Sequence, residues 1–353
     1  MIHADLAKAS QQLEVELPAI EKAAGDSEQI IEDFKNELDD FLGEKFLTKH
    51  EKDLERTDVI LLGSIARREY TLTSDCDYYI LQNGASPEVS RKLIDAAEKI
   101  RERHGMGEPG LQGVFGKIVV APNLYESIGL EVDSNTNMTR RILLLAESEP
   151  VTKGKTHREV IENILKRYCS DYLPPNRKED SPVKVPRYLL NDLVRYWRTM
   201  AVDFGTKRWQ TSKDETNVRL AKLMITRKLL FADPLATLLL VPQKIKKNEQ
   251  LHKYLVQSFK PSPLAQLAGT VDLLCDTSKA ALKNLLISYD EFIQLLSSDK
   301  ERKMLQSHEE GKGQQSKTWE KCKQIGAKIQ KSLEIIFCDD ELFKQNFRKY
   351  SVF

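Results

Sequence analysis

Cysteine is scarce and scattered: Cys76, Cys169, Cys275, Cys322 and Cys338 are the five, and none forms a Cys-x-x-Cys pair. That spacing argues against a zinc site and against a disulfide framework. No apolar run approaches the ~20 residues that a membrane-spanning helix needs. Met1-Ile2-His3-Ala4-Asp5 lacks the basic and apolar regions of a secretory leader, so a cytoplasmic protein with no membrane partner is expected. There is no His-Asp dipeptide, and no Ser/His/Asp or Cys/His constellation is evident, which leaves metal-free nucleophilic catalysis without residues to carry it. Net charge is nearly absent too, at +1.

The balance hides an asymmetry. Residues 1–60 hold 16 acidic against 7 basic side chains, whereas residues 177–231 hold 13 basic against 6 acidic. The basic half suits a polyanion, or simply solvated helix faces. With 353 residues, 41% hydrophobic and 30% charged, the chain is long enough for two domains with sizeable cores.

The densest pattern runs from Leu61 to Leu81. An apolar run, Val59 to Leu62, reaches a small-residue turn at Gly63-Ser64. A short polar helix follows, and then Ser74-Asp75-Cys76-Asp77 leads into a second apolar run, Tyr78-Tyr79-Ile80-Leu81. Strand side chains alternate, so Asp75 and Asp77 share one face and Cys76 points the other way. Two carboxylates that close repel unless a cation lies between them, and Mg²⁺ typically takes one or two carboxylates plus substrate phosphate oxygens. Gly63, without a Cβ, lets backbone approach such phosphates.

Gly63-Ser64 with Asp75-Cys76-Asp77 about ten residues later resembles the DNA-polymerase-β-like nucleotidyltransferase superfamily. Gly63-Ser64-Ile65-Ala66-Arg67-Arg68-Glu69 followed by Ser74-Asp75-Cys76-Asp77 is most similar to the nucleotidyltransferase domain of bacterial PII uridylyltransferases and their stand-alone relatives. The resemblance implies transfer of an NMP from an NTP, ATP among the possible donors, to an acceptor hydroxyl on a protein or RNA, with pyrophosphate released. It implies Mg²⁺ or Mn²⁺ on Asp75 and Asp77, and Gly63, Ser64 and Arg67 against the phosphates. It also implies a third carboxylate from a later segment, for which Asp133 is the expected residue and Glu131 the alternative. A nucleotide second-messenger synthase and a non-catalytic nucleotide-binding or scaffold module are the other functions open at this point. Neither the acceptor nor the oligomeric state follows from the sequence.

The expected fold is α+β, a small mixed sheet flanked by helices followed by an all-α domain. Residues 1–172 form the catalytic domain with an N-terminal helical pair (4–24 and 27–47), 173–185 a linker, and 186–353 the helical domain. Ser86-Pro87 opens a helix with an N-cap serine and proline at the first position. Glycine-rich 104–116 reads as a connection, 116–120 as a third strand, and 131–133 as a fourth strand or the approach to a helix over 138–148. Thr156-His157-Arg158-Glu159 has the form of a capping box. A helix over about 216–231 places Arg219 and Lys222 on neighbouring turns of one face. In the enzymes this chain resembles, the helical domain often helps hold base and triphosphate, so both side chains join the expected phosphate-binding set. Helices over 270–297 and 317–337 flank a polar stretch, 299–316.

Overall fold

The computed structural model describes residues 2–71, 74–110, 114–173, 176, 178, 181–210, 213–259, 262, 264–306 and 317–351. It has the expected fold class: a small mixed four-stranded sheet flanked by helices, followed by a long all-helical region. Two compact units are present. One comprises residues 23–181 and 247–262, the other 2–22, 182–246 and 263–353. Among the described residues no helix is long and apolar enough to cross a membrane.

The sheet unit is built on β1 (Thr57–Leu61) and β2 (Tyr78–Gln82), which pair antiparallel. β3 (Ile118–Val120) lies parallel to β2, and β4 (Glu149–Pro150) antiparallel to β1, giving the order β3-β2-β1-β4. Register sorts the side chains. Val59 faces Ile80 and Leu61 faces Tyr78, and these four pack in one core with Ile31, Phe34 and Leu38 of helix Pro18–Leu42 and Val89, Leu93 and Ile100 of helix Pro87–Arg103. Helix Thr156–Cys169 also packs on β1 and β2. Every residue of β1 is buried, Thr57 and Asp58 included, which is why its apolar part, Val59 to Leu61, shows no alternation.

Ser86 accepts from the Glu88 N–H and Pro87 opens its helix, as the sequence predicts. Other expectations are corrected. The N-terminal helices are Ala4–Gln12 and Pro18–Leu42, broken at 13–17 where Glu14 takes φ +50°. Pro18 needs no N–H partner, and Asp290 Oδ1 accepts from the N–H groups of Ala19 and Ile20 at 2.9 Å each, so the second helix starts there and runs unbroken through Gly25. Residues 131–133 form no strand; they lie in a turn before helix Asn135–Ala146, whose N-cap is Ser134. Thr156 is not a cap: Lys155 holds that position without a side-chain bond, and the Thr156 hydroxyl is buried with no hydrogen-bond partner.

In the helical unit, the expected helix over 216–231 is two helices, Lys213–Met224 and Thr226–Leu239, parted at Ile225 (φ −117°, ψ −83°). Pro234 sits inside the second without ending it. Asp276–Ser297 packs against Lys317–Glu334 as the principal helical pair. Helix Leu251–Ser258 packs instead with Thr156–Cys169 of the sheet unit, which is why residues 247–262 belong there. Parts of two expected segments, linker residues 174–175, 177 and 179–180 and polar residues 307–316, lie outside the described residues.

Candidate functional site

Between β1 and β2 the chain makes a tight crossing that brings Gly63 onto Asp77. The Leu62 N–H donates to the Asp77 carbonyl at 2.8 Å, tying the start of the turn to the residue before β2. Gly63 adopts φ +64°, and a Cβ placed there would stand 2.9 Å from Asp77 Oδ2. Both the backbone angle and the contact require glycine. Ser64, half-buried, follows in the short helix Gly63–Ala66, and its carbonyl accepts from the Glu69 N–H at 2.7 Å.

Alternation along 74–78 is as expected. Asp75 is exposed and Asp77 half-buried, while Ser74, Cys76 and Tyr78 are buried. Cys76 lies in the apolar core on the opposite face, where burial first, and then the Asp77 charge, push its thiol far up. It is an inert packing residue.

The glycine-rich connection is part of this site. Gly107 bridges to Asp75, its carbonyl accepting from the Cys76 N–H at 3.0 Å, and a Cβ on it would meet Asp75 Oδ1 at 2.8 Å. Gly110 donates its N–H to Asp77 Oδ1 at 3.0 Å. The repeated glycines of 104–116 were the available signal, because backbone can lie directly on a carboxylate only where there is no side chain. Gly113 lies outside the described residues.

Arg67 reaches no open surface: its Nε donates to Glu69 Oε2 at 2.9 Å and its Nη1 to Glu147, with only 12% of the side chain exposed. Glu147 ends helix Asn135–Ala146 and is fully buried. Burial pushes its carboxyl up, Arg67 pulls it down, and the charges of Asp77 and Glu69 push it up again. A Glu69–Arg67–Glu147 ionic layer therefore lies within electrostatic reach of Asp77. In the sequence Glu147 carried no assigned role.

Asp133 stands elsewhere. It is buried in the turn before Asn135–Ala146, where Arg141 Nη1 and Nη2 donate to its two oxygens at 3.1 and 2.8 Å and the Gly129 N–H donates at 3.3 Å. Glu131, the alternative, is exposed in the same turn. Among the described residues no three His, Cys, Asp or Glu side chains are grouped to hold a metal ion, so the structure does not join Asp133 to Asp75 and Asp77. Arg219 and Lys222 are half-buried on helix Lys213–Met224 of the other unit.

A Ser148–His157–Asp58 grouping has the composition of a hydrolase triad but not its geometry. Ser148 Oγ lies 2.8 Å from His157 Nε2, yet Asp58 Oδ2 accepts from the His157 backbone N–H rather than the ring. Burial lowers the His157 pKa to about 4, so the ring is neutral and structural. No protein-family model matches the chain, and no curated protein matches it.

Proposed function

We propose that the sheet unit is a metal-dependent nucleotidyltransferase, moving an NMP from an NTP to an acceptor hydroxyl on a protein or RNA. The observation that carries this reading is the packing of Gly63 on Asp77, with no room for a Cβ between them and Asp75 exposed alongside. The donor set fits Mg²⁺ or Mn²⁺, since two hard carboxylates are the complement such an ion takes when substrate phosphates and water complete its shell. When bound, the cation supplies charge neutralisation for the triphosphate and the departing pyrophosphate. Asp75 and Asp77 would hold it, Gly63 and Ser64 would border the phosphates, and the Gly110 N–H fixes the orientation of the Asp77 carboxylate. The acceptor oxygen bonds to the α-phosphorus as the bond from that phosphorus to the pyrophosphate oxygen breaks, and the acceptor hydroxyl's proton passes to water. Arg67 is bonded to Glu69 and to Glu147, the latter within electrostatic reach of Asp77, and Asp133 has no part in the arrangement because Arg141 occupies both its oxygens.

The test incubates the full chain with Mg²⁺, each α-labelled NTP and cellular protein or RNA fractions, with Asp77→Asn as control. Label transfer that falls on the order of a hundredfold or more in Asp77→Asn is the expected result. Equal labelling by both proteins refutes the assignment. Nucleotide binding without transfer by either makes the unit a non-catalytic nucleotide-binding module.

A further inference from the structure

Helix Pro87–Arg103 ends in a way that fixes Met106 at both its backbone polar atoms. The Gly105 N–H donates to the Glu102 carbonyl and the Met106 N–H to the Arg101 carbonyl, each at 3.1 Å, the pair of bonds that closes a helix at a glycine. The Arg101 side chain then turns back, and its Nη1 donates to the Met106 carbonyl at 3.1 Å. Met106 itself is buried in the core of the sheet unit. One residue on, Gly107 is bound to the carboxylate segment: its carbonyl accepts from the Cys76 N–H at 3.0 Å, and Asp75 Oδ1 leaves it no room for a Cβ.

The same arginine is tied to the far end of that segment. Its Nε donates to Glu98 Oε2 at 2.8 Å, and Glu98 Oε1 accepts from the hydroxyl of Tyr78, the residue after Asp77. Tyr78, Glu98, Arg101, Met106, Gly107 and Cys76 thus close a ring of bonds on the core side of the segment. Only 11% of the Arg101 side chain is exposed, and its charge is felt at Cys76, which lies between the two aspartates in sequence. Asp75 and Asp77 repel each other, so they stay in place without a cation only if backbone is packed on each. Gly107 stands against Asp75 and Gly110 bonds Asp77, and Arg101 holds the residue from which that stretch of backbone starts.

We propose that Arg101 is the positioning residue of the metal site: by holding Met106 it keeps Gly107 and Gly110 on Asp75 and Asp77, and so fixes the two carboxylates for a divalent cation. The inference rests on the reading of this pair as Mg²⁺ or Mn²⁺ ligands. It carries a sign that charge alone does not. Removing an arginine makes the unit more negative, and Coulomb attraction by itself then binds a cation more tightly. Loss of a residue that orients the ligands from behind weakens binding instead, on the order of tenfold to a hundredfold.

Titration of the full chain with Mn²⁺, the free ion followed by electron paramagnetic resonance, tests this in wild type, Asp77→Asn, Arg101→Gln, Arg101→Lys and Arg103→Gln. Arg103 lies on the same helix and bonds Glu37 at 2.8 Å, so its variant removes an equal charge and leaves the ring of bonds intact. Arg101→Gln is expected to bind Mn²⁺ on the order of tenfold more weakly than wild type. Arg101→Lys keeps the charge but not the fork and should fall between the two, while Arg103→Gln should bind as wild type does or slightly more tightly. Arg101→Gln that binds as wild type or more tightly overturns the proposal, as does an equal loss in Arg103→Gln. Should Arg101→Gln fail to fold, Arg101→Lys decides by the same sign. Wild type without Asp77-dependent Mn²⁺ binding removes the ligand reading and this proposal with it, whereas Asp77-dependent binding that ignores Arg101 removes this proposal alone.

Discussion

Asp133 and the Asp75/Asp77 pair lie in the same unit and meet opposite conditions. Asp133 is buried with both oxygens on Arg141, whose Nε donates to the Tyr168 hydroxyl at 2.7 Å and whose Nη1 also donates to the Leu124 carbonyl at 3.3 Å. Each charge there has a bonded partner, and the arrangement serves the fold. Asp75 and Asp77 stand next to one another toward solvent, with glycine backbone packed on each and two further carboxylates, Glu69 and Glu147, in the layer around Arg67. Like charges gathered this way serve stability poorly, and the proposed cation would offset them. Residue type alone does not distinguish the two places; the partner does.

The largest expected effect breaks the first of them. Asp133→Ala leaves Arg141 charged in the interior and should cost about 3–5 kcal/mol in urea unfolding, with part of the loss recovered by adding Arg141→Met. If Asp133→Ala kept wild-type stability but lost nucleotidyl transfer, the contrast would collapse and Asp133 would belong with Asp75 and Asp77.

That contrast also shows what the sequence made legible. The apolar runs on either side of Gly63-Ser64 and the alternation of Ser74-Asp75-Cys76-Asp77-Tyr78 are local, and the strands and side-chain directions followed from them. Asp133 is expected as a third carboxylate only from the resemblance, and its surroundings are set by Arg141, eight residues later, turned inward toward Tyr168. A helix face that holds Met138, Ile142 and Leu145 gives no sign that an arginine is buried with them. The contacts of Glu147 with Arg67 and of Gly110 with Asp77 span 80 and 33 residues, and only the tertiary fold sets them. The N-terminal break falls at 13–17 and not between the expected 4–24 and 27–47, because Pro18 can open a helix whose first-turn N–H groups find Asp290, a partner 270 residues away.

A neutral histidine in the same unit sharpens the comparison through pH. His157 has its pKa lowered from 6.5 to about 4 by burial, so between those values the unfolded chain binds a proton that the folded chain does not. Stability contributed by this group is complete above pH ~6.5 and lost as pH falls toward 4, by about 3 kcal/mol in all. Asp58, whose carboxyl is raised chiefly by burial, opposes this over the acid end of the range. The difference between wild type and His157→Gln, followed by thermal melts at stepped pH, isolates the histidine. A pH slope equal in both proteins would mean that His157 titrates normally in the fold.

Two glycines separate backbone strain from site geometry. Gly63 and Gly129 both have positive φ, +64° and +76°, but a Cβ on Gly129 meets nothing within 4 Å whereas one on Gly63 meets Asp77. Gly129→Ala should cost about 1 kcal/mol and leave Mg²⁺ binding intact. Gly63→Ala should cost at least as much and weaken Mg²⁺ binding as well, because Asp77 must move. Equal Mg²⁺ affinities in the two variants would show that the Gly63 contact has no part in holding the carboxylate.

The smallest stability change belongs to the residue on which the proposed chemistry depends most. Asp77→Asn keeps an oxygen to accept from the Gly110 N–H and removes one negative charge from the neighbourhood of Asp75, Glu69 and Glu147. Lost repulsion offsets lost favourable contacts, so unfolding free energy should stay within about 1 kcal/mol of wild type in metal-free buffer. Added Mg²⁺ should then separate the proteins. It raises the melting temperature of the wild type, because a ligand bound only by the folded state stabilises it, and leaves Asp77→Asn where it was. A large metal-free loss in Asp77→Asn with no Mg²⁺ response in wild type would make Asp77 a structural residue like Asp133, and the difference between the two aspartate sites would be one of exposure alone.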